Sequence, residues 1–92
     1  MHFDVLVEVR LRPGIADPQG ATIERALPAL GFHEVTGVSV GKAIRFRVEA
    51  PDEAEAQRRV DELCRRFLAN PVIEDVETTL AVTSGADAAA TR

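Results

Sequence analysis

Apolar and polar residues alternate along three long segments of this sequence, and that period of two constrains the fold more than any other feature. The alternation runs over residues 3–12, 44–50 and 72–82. Because successive side chains of an extended chain point to opposite faces, each segment predicts a strand with one buried face. Residues 35–40 are mostly β-branched and predict a further strand, which leads into a tight turn at Gly41 and Lys42.

The residues after the first strand predict a helix whose two ends are both marked. Asp17 stands at the N-cap, and Pro18 occupies the first helical position, where its missing N–H is not needed. An apolar stripe follows at helical spacing, and Gly31 supplies a left-handed residue that stops the helix. Pro28 lies inside this span, so we expect the helix to kink or to end early there.

A second helix is predicted to begin after the capping residue Asp52. Its apolar stripe is the most regular in the chain and runs from Ala56 to Leu68. We expect Asn70 to take the left-handed position after this helix, and Pro71 prevents the helix from continuing.

The predicted element order is β-α-β-β-α-β, which indicates an α+β fold of the ferredoxin-like type. Such a fold has an antiparallel sheet with two helices on one face. The other face and the sheet edges need cover, so we expect the chain to oligomerise through its sheet as a homodimer or homotetramer. With 92 residues, the sequence predicts a single domain over residues 1–82 and a disordered, alanine-rich tail over residues 83–92.

The charge and the aromatic content argue against nucleic-acid binding. The net charge is -4, and the aromatic residues, 4% of the chain, are all phenylalanine. The chain therefore lacks both the cationic surplus that binds phosphates and the set of rings on which bases stack. No stretch reaches the roughly 18 to 20 apolar residues of a membrane span, and no signal peptide follows Met1. We expect a cytoplasmic protein that does not contact membranes.

The reactive side chains of the sequence form no catalytic pattern. Cys64, the one cysteine, lies in the apolar stripe of the second helix, which predicts a buried thiol instead of a nucleophile. His2 lies at the start of the first strand and His33 in a loop, and neither has a triad-like neighbour. The sequence predicts no catalytic residue, no metal site and no cofactor site in this chain.

Two connections hold more turn-forming and capping residues than a plain loop needs, which favours a surface for a protein partner. One connection joins the first strand to the first helix, and the other leaves the second helix. A lysine in the predicted turn between the middle strands joins them as a candidate. The predicted partner-interface residues are Arg12, Pro13, Gly14, Asp17, Pro18, Gln19, Gly20, Lys42, Asn70 and Pro71.

The sequence resembles the PurS subunit family of phosphoribosylformylglycinamidine synthase, which is also called FGAM synthase or FGAR amidotransferase. Three stretches carry the resemblance: LRPGIADPQGATIERALPALGF, VGKAIRFRVEA and LCRRFLANPVIEDVE. It covers residues 3–82. Its most specific parts are the Pro-Gly turn followed by residues 17–20, and the helix exit over residues 68–73.

The resemblance implies a small non-catalytic subunit of a purine-biosynthesis complex. Such a complex converts formylglycinamide ribonucleotide, ATP and glutamine to formylglycinamidine ribonucleotide, ADP, phosphate and glutamate. The implied partners are a second copy of the chain, a large synthetase subunit that binds ATP and Mg²⁺, and a glutaminase subunit that releases ammonia. This chain would bridge the two enzymes and bind no cofactor itself.

Two other readings of the element order remain open at this point. A ligand-sensing regulatory domain is the main alternative, because the same order serves modules that bind amino acids between subunits. An acylphosphatase-like enzyme would need an arginine-bearing anion loop and a catalytic asparagine. Arg12 precedes a Pro-Gly turn, but the rest of that signature is absent.

Overall fold

A computed structural model describes residues 1–83, so the predicted tail lies outside the described residues apart from its first residue. Strand β1 (His2–Leu11) is central, and its neighbours β2 (Lys42–Glu49) and β3 (Glu74–Val82) both run antiparallel to it, in the order β2-β1-β3. The α+β class, with an antiparallel sheet and two helices, is therefore confirmed. The elements are β1 His2–Leu11, α1 Pro18–Ala26, β2 Lys42–Glu49, α2 Glu53–Leu63 and β3 Glu74–Val82.

The core lies between β1 and α2. The alternate residues Phe3, Val5, Val7 and Val9 of β1 are each at most 3% exposed. Helix α2 contributes Ala56 and Val60 to this core, the turn that follows it contributes Cys64, and the inward residues of β2 pack around them. The period of two thus predicted both the central strand and the face that it buries.

The strand predicted over residues 35–40 is wrong. The described part of the chain has a sheet of three strands, and these residues belong to none of them. The predicted turn at Gly41 is also absent, because the chain continues from Gly41 straight into β2. The physical reason is a competing set of bonds: Glu24 of α1 and the N-cap residue Asp17 accept from the amides of Val38 and Val40, which takes the place of a neighbouring strand.

Helix α1 ends early, as Pro28 predicted. It stops at Ala26, a 3₁₀ turn follows over Pro28–Leu30, and Gly31 with φ +93° terminates that turn. Gly20 is the one buried residue of α1, and no residue of α1 belongs to the described core clusters. The apolar side of this helix therefore lies open, which distinguishes it from α2.

Helix α2 begins behind Asp52 as predicted, but it does not run unchanged to Leu68. A wider π turn over Cys64–Leu68 replaces the last α turns, with Ala69 N–H donating to the Cys64 carbonyl over 3.0 Å. The left-handed conformation predicted for Asn70 is wrong, because no described residue other than glycine has a positive φ. Its side chain instead accepts a hydrogen bond from the N–H of Val72 and caps a tight corner there.

The helices of residues 1–83 are too short to cross a bilayer. The longest of them, α2, has 11 residues.

Candidate partner interface

The predicted interface residues gather at one end of the sheet. At this end β1 finishes, while β2 and β3 both begin: Val9 lies opposite Lys42, and Leu11 lies opposite Glu74. We call the surface formed here by residues 12–20, 38–42 and 69–75 the loop end. Segments that are far apart in the sequence thus become parts of one surface.

Arg12 ties the first connection to the corner that precedes β3. Its backbone N–H donates to the carbonyl of Ile73 over 2.8 Å, and its Nε lies 3.2 Å from a carboxylate oxygen of Asp75. Gly14 then turns the chain away with φ +88°, a conformation that side chains with a Cβ rarely adopt. The Pro13-Gly14 turn is therefore fixed against the Asn70-Pro71 corner.

Asn70 organises the corner at both its backbone and its side chain. Its N–H donates to Glu74 Oε1 over 2.7 Å, and its Oδ1 accepts from the N–H of Val72 over 3.0 Å. Its carbonyl accepts from the N–H of Glu74 over 2.8 Å. These bonds hold Pro71 and Val72 outward, and Val72 is 78% exposed. The corner is an ordered apolar projection, a form that suits docking into a partner.

Asp17 is the organising residue of the other half of the loop end. Its Oδ1 accepts from the N–H of Gly20 over 3.0 Å, which confirms the predicted N-cap. Its Oδ2 accepts from the N–H of Val40 over 2.9 Å. The amides of Gly20 and Val40 lower the pKa of this carboxyl below its usual value, because they stabilise the charged form.

The structural roles of two residues in this half, Glu24 and Gly20, were not apparent from the sequence. Glu24 accepts from the N–H of Val38 over 3.0 Å and fixes the same segment as Asp17. Gly20 sits so close to that segment that a Cβ on it would lie 2.7 Å from the Val38 carbonyl oxygen. No spacing rule could have found these contacts, since the partners are 14 to 23 residues apart in the chain.

Replacing Asp17 by asparagine is expected to flatten the acid side of the stability profile. The folded-state pKa is lowered, so the ionised carboxylate stabilises the fold above the unfolded-state pKa, and this contribution is lost as the pH falls through the folded-state pKa. Asp17→Asn should therefore be less stable than the wild type near pH 7, and the two should converge in strong acid. Urea unfolding at a series of pH values measures the difference.

Asp52→Asn is the matched control for this experiment. Asp52 also caps a helix, but it accepts a single described amide bond, from Glu55 over 2.8 Å, and asparagine caps about as well as aspartate. The dependence of stability on pH should change less for Asp52→Asn than for Asp17→Asn. Equal losses at the two positions would show that Asp17 acts as a cap alone.

The cysteine and the two histidines lie in three separate parts of the structure. Cys64 is 3% exposed, and burial, together with the charge of Asp61, raises the pKa of its thiol, which disfavours the nucleophilic thiolate. The predicted burial of this residue is confirmed. His2 and His33 are exposed. Residues 1–83 contain no group of three or more histidine, cysteine, aspartate or glutamate side chains that could hold a metal ion.

A shallow groove of about 540 Å³ runs along the start of α1 at the loop end. It is widely open, and its lining mixes apolar and uncharged polar side chains. Such a surface fits a segment of another protein better than an enclosed small molecule. The lining residues are Pro18, Gln19, Thr22, Ile23 and Val40.

Comparison with known proteins gives a family for this fold and this interface. The family model for PurS, described as phosphoribosylformylglycinamidine (FGAM) synthase, matches residues 4–82. The chain belongs to the PurS family. The range of the match agrees with the resemblance predicted from the sequence, and the family makes the chain a subunit of FGAM synthase in purine biosynthesis.

Relatives within the PurS family come from archaea and bacteria. The PurS subunit of Archaeoglobus fulgidus is 45% identical over 74 residues, which are 80% of this chain and 90% of that protein. The PurS subunit of Synechocystis is 44% identical over 69 residues, or 75% of this chain and 69% of that one. These relatives favour the subunit over the ligand-sensing domain that the element order alone left open.

Solved PurS structures share the fold. Methanocaldococcus jannaschii PurS, one of the subunits of formylglycinamide ribonucleotide amidotransferase, has a TM-score of 0.79 at 35% identity, with 89% of this chain and 99% of that chain covered. A chain in the structure of PurLQS from Thermotoga maritima has a TM-score of 0.81 at 33% identity, with 88% and 99% covered.

Proposed function

We propose that this PurS-family chain is a non-catalytic adaptor that joins the synthetase and glutaminase subunits of FGAM synthase. The observation that carries the proposal is the loop end itself. Nine of the ten candidate residues come from three separated stretches and lie on one surface, whereas the tenth, Gly20, is buried. Backbone hydrogen bonds such as that from Arg12 to Ile73 hold the stretches together. The related chain found in PurLQS of Thermotoga maritima supports a role inside such an assembly.

In this proposal the chemistry belongs to the partner subunits. The synthetase holds ATP and Mg²⁺ and activates formylglycinamide ribonucleotide, while the glutaminase releases ammonia from glutamine. The chain itself supplies a homodimeric or homotetrameric platform that holds both partners in register in the cytoplasm. Its ordered corner and its capped helix start are suited to binding, because their backbone groups are already bonded before a partner arrives.

Holding the two enzymes together has a physical purpose. Ammonia released into water is diluted and protonated, and the protonated form cannot attack an activated substrate. An adaptor that fixes the glutaminase against the synthetase raises the local ammonia concentration at the second site, in the way that linking two sites raises effective concentration. The adaptor therefore increases use of glutamine without a reacting group of its own.

Reconstitution of the three subunits tests this function. FGAM formation is measured with glutamine and, separately, with ammonium salt as the nitrogen donor. We expect glutamine-dependent synthesis to require this chain, and ammonia-dependent synthesis by the synthetase to persist without it. Sizing chromatography of the same mixtures should show a complex containing all three subunits.

Three outcomes would contradict the adaptor role. Full glutamine-dependent synthesis in the absence of the chain would show that no bridge is needed. Turnover of substrate by the chain alone would show that it is catalytic. If the chain associated with neither the synthetase nor the glutaminase, it could not act as a bridge between them.

A further inference from the structure

A groove of about 250 Å³ lies between the end of α2 and the start of β3, beside the Asn70-Pro71 corner. Most of its lining is apolar, and its inner side is the buried Cys64, which is 3% exposed. A volume below the roughly 300 to 1,000 Å³ of sites for drug-sized ligands suits a single side chain. The groove shares residues with the loop end, so it belongs to the same exposed surface. The apolar lining residues are Cys64, Ala69, Pro71 and Val76.

Two carboxylates line the same groove, one from α2 and one from β3, and each is held in place by one hydrogen bond. Asp61 Oδ1 accepts from Gln57 Nε2 over 2.8 Å. Glu74 Oε1 accepts from the N–H of Asn70 over 2.7 Å. The other oxygen of each carboxylate, Oδ2 of Asp61 and Oε2 of Glu74, has no donor among residues 1–83. The groove therefore presents two oriented oxygens that can still accept hydrogen bonds from a partner.

The charge of the groove favours a cation. Arg65 is the one cationic residue of its lining, so the two carboxylates outnumber the positive charge. The side chain of Arg65 is exposed and has no hydrogen bond or ion pair with the described residues 1–83, so it can turn into solvent. The groove also lies at the C-terminal end of α2 and of the π turn that follows, where the peptide dipoles favour positive charge.

We propose that this groove receives a lysine side chain from one of the two partner enzymes, the synthetase or the glutaminase. The methylene stem of the lysine packs on Ala69 and Val76, and its ammonium group donates to Asp61 Oδ2 and Glu74 Oε2. Lysine suits the site better than arginine, because an ammonium donates in three directions, whereas a guanidinium fork pairs best with both oxygens of one carboxylate. The inference rests on the proposed adaptor function and names the chemistry by which the loop end recognises its partner.

Two variants that remove charge and keep shape test the groove. Asp61→Asn and Glu74→Gln retain the oxygens that accept from Gln57 and from the amide of Asn70, so both should unfold in urea at the wild-type midpoint. Each should raise the dissociation constant for the enzyme that supplies the lysine at least about fivefold and make it less sensitive to salt. Surface plasmon resonance with each purified enzyme, at low and at high sodium chloride, measures both effects.

Arg65→Gln distinguishes a cationic occupant from an anionic one. With a lysine in the groove, removal of the neighbouring arginine should leave the affinity unchanged or raise it. Weaker binding by this variant, with wild-type binding by the two carboxylate variants, would show that the groove receives a carboxylate and would overturn the proposal. Glu53→Gln is the matched control, because Glu53 begins α2 at the end far from the groove, and this variant should bind as the wild type does.

Carbodiimide coupling of the reconstituted three-subunit complex identifies the occupant directly. The reagent activates a carboxylate, a lysine amine in contact with it forms an amide, and the reagent leaves as its urea. Mass spectrometry of the digested complex should find Asp61 or Glu74 joined to a lysine of the synthetase or of the glutaminase. This chain has a single lysine, Lys42, so a link between two copies of the chain is recognised at once.

Wild-type affinity of both Asp61→Asn and Glu74→Gln would overturn the proposal. Coupling of these two carboxylates to Lys42 alone, or to no lysine in a complex whose other carboxylates are coupled, would overturn it as well. The glutamine-dependent assay of the wild-type chain decides the adaptor function independently of these results. Synthesis that requires the chain, together with wild-type binding by both carboxylate variants, would retain the adaptor and reject the lysine site.

Discussion

Valine in place of Gly41 is expected to destabilise the chain by about 3 kcal/mol, at the upper end of the usual cost of overpacking. A Cβ at this position would lie 2.6 Å from the carbonyl oxygen of Val9. The obstructing atom is backbone at the end of β1, so it cannot move aside as a flexible side chain could. Urea unfolding at a fixed protein concentration measures the loss, because the stability of an oligomer depends on concentration.

Ala43→Val is the matched control, two residues farther along the same chain. Ala43 is exposed on the edge strand β2, and valine suits a strand, so its stability should stay within about 0.5 kcal/mol of the wild type. Similar losses for Gly41→Val and Ala43→Val would show that the edge tolerates no added bulk anywhere. A wild-type midpoint of unfolding for Gly41→Val would show that Gly41 and the carbonyl of Val9 are not in this close contact.

Aspartate in place of Val72 is expected to weaken binding to the partner enzymes at least tenfold, which corresponds to about 1.4 kcal/mol or more. Val72 projects from the corner that Asn70 organises, and it is 78% exposed, so it contributes little to folding. An apolar side chain at the centre of an interface is desolvated on binding, and a charge there would be buried without a partner. Surface plasmon resonance with each partner enzyme measures the change.

Val82→Asp separates a local effect from a general effect of added charge. Val82 is also an exposed valine, at 61%, but it lies at the end of the sheet opposite the loop end, where it pairs with Phe3. We expect this variant to bind both enzymes as the wild type does. Equal weakening by the two substitutions, or a large fall in the melting temperature of Val72→Asp, would argue against a docking role for the corner.

The parts of the fold that were predictable rest on local rules. Alternation in β1 fixed which side chains are buried, because strand geometry sends neighbouring residues to opposite faces. The start of each helix followed from an aspartate cap, and Pro28 marked the early end of α1. Each of these signals depends on residues that are close in the sequence, so each can be recognised without the tertiary structure.

The wrong predictions share one cause, which is that other groups compete for the same backbone amides. Residues 35–40 have the composition of a strand, yet the carboxylates of Glu24 and of the N-cap residue Asp17 bind two of their amides. Asn70 is a common left-handed residue after a helix, yet here its side chain is committed to the amide of Val72. Intrinsic propensity limits the backbone conformations that a residue can adopt, and long-range hydrogen bonds decide which of these conformations it does adopt.

The candidate interface likewise has features that local rules predict and features that only long-range contacts decide. The sequence by itself predicted the three strands and two helices that the structure contains, together with one strand over residues 35–40 that it lacks. It also determined the buried row of β1, the membership of the PurS family and the residues that do not fit a plain loop. Only the tertiary structure decided that these residues share one end of the sheet and that β2 keeps an open edge. The reason is physical: capping and alternation are short-range, whereas a common surface and an unpaired edge exist only after distant segments have bonded to each other.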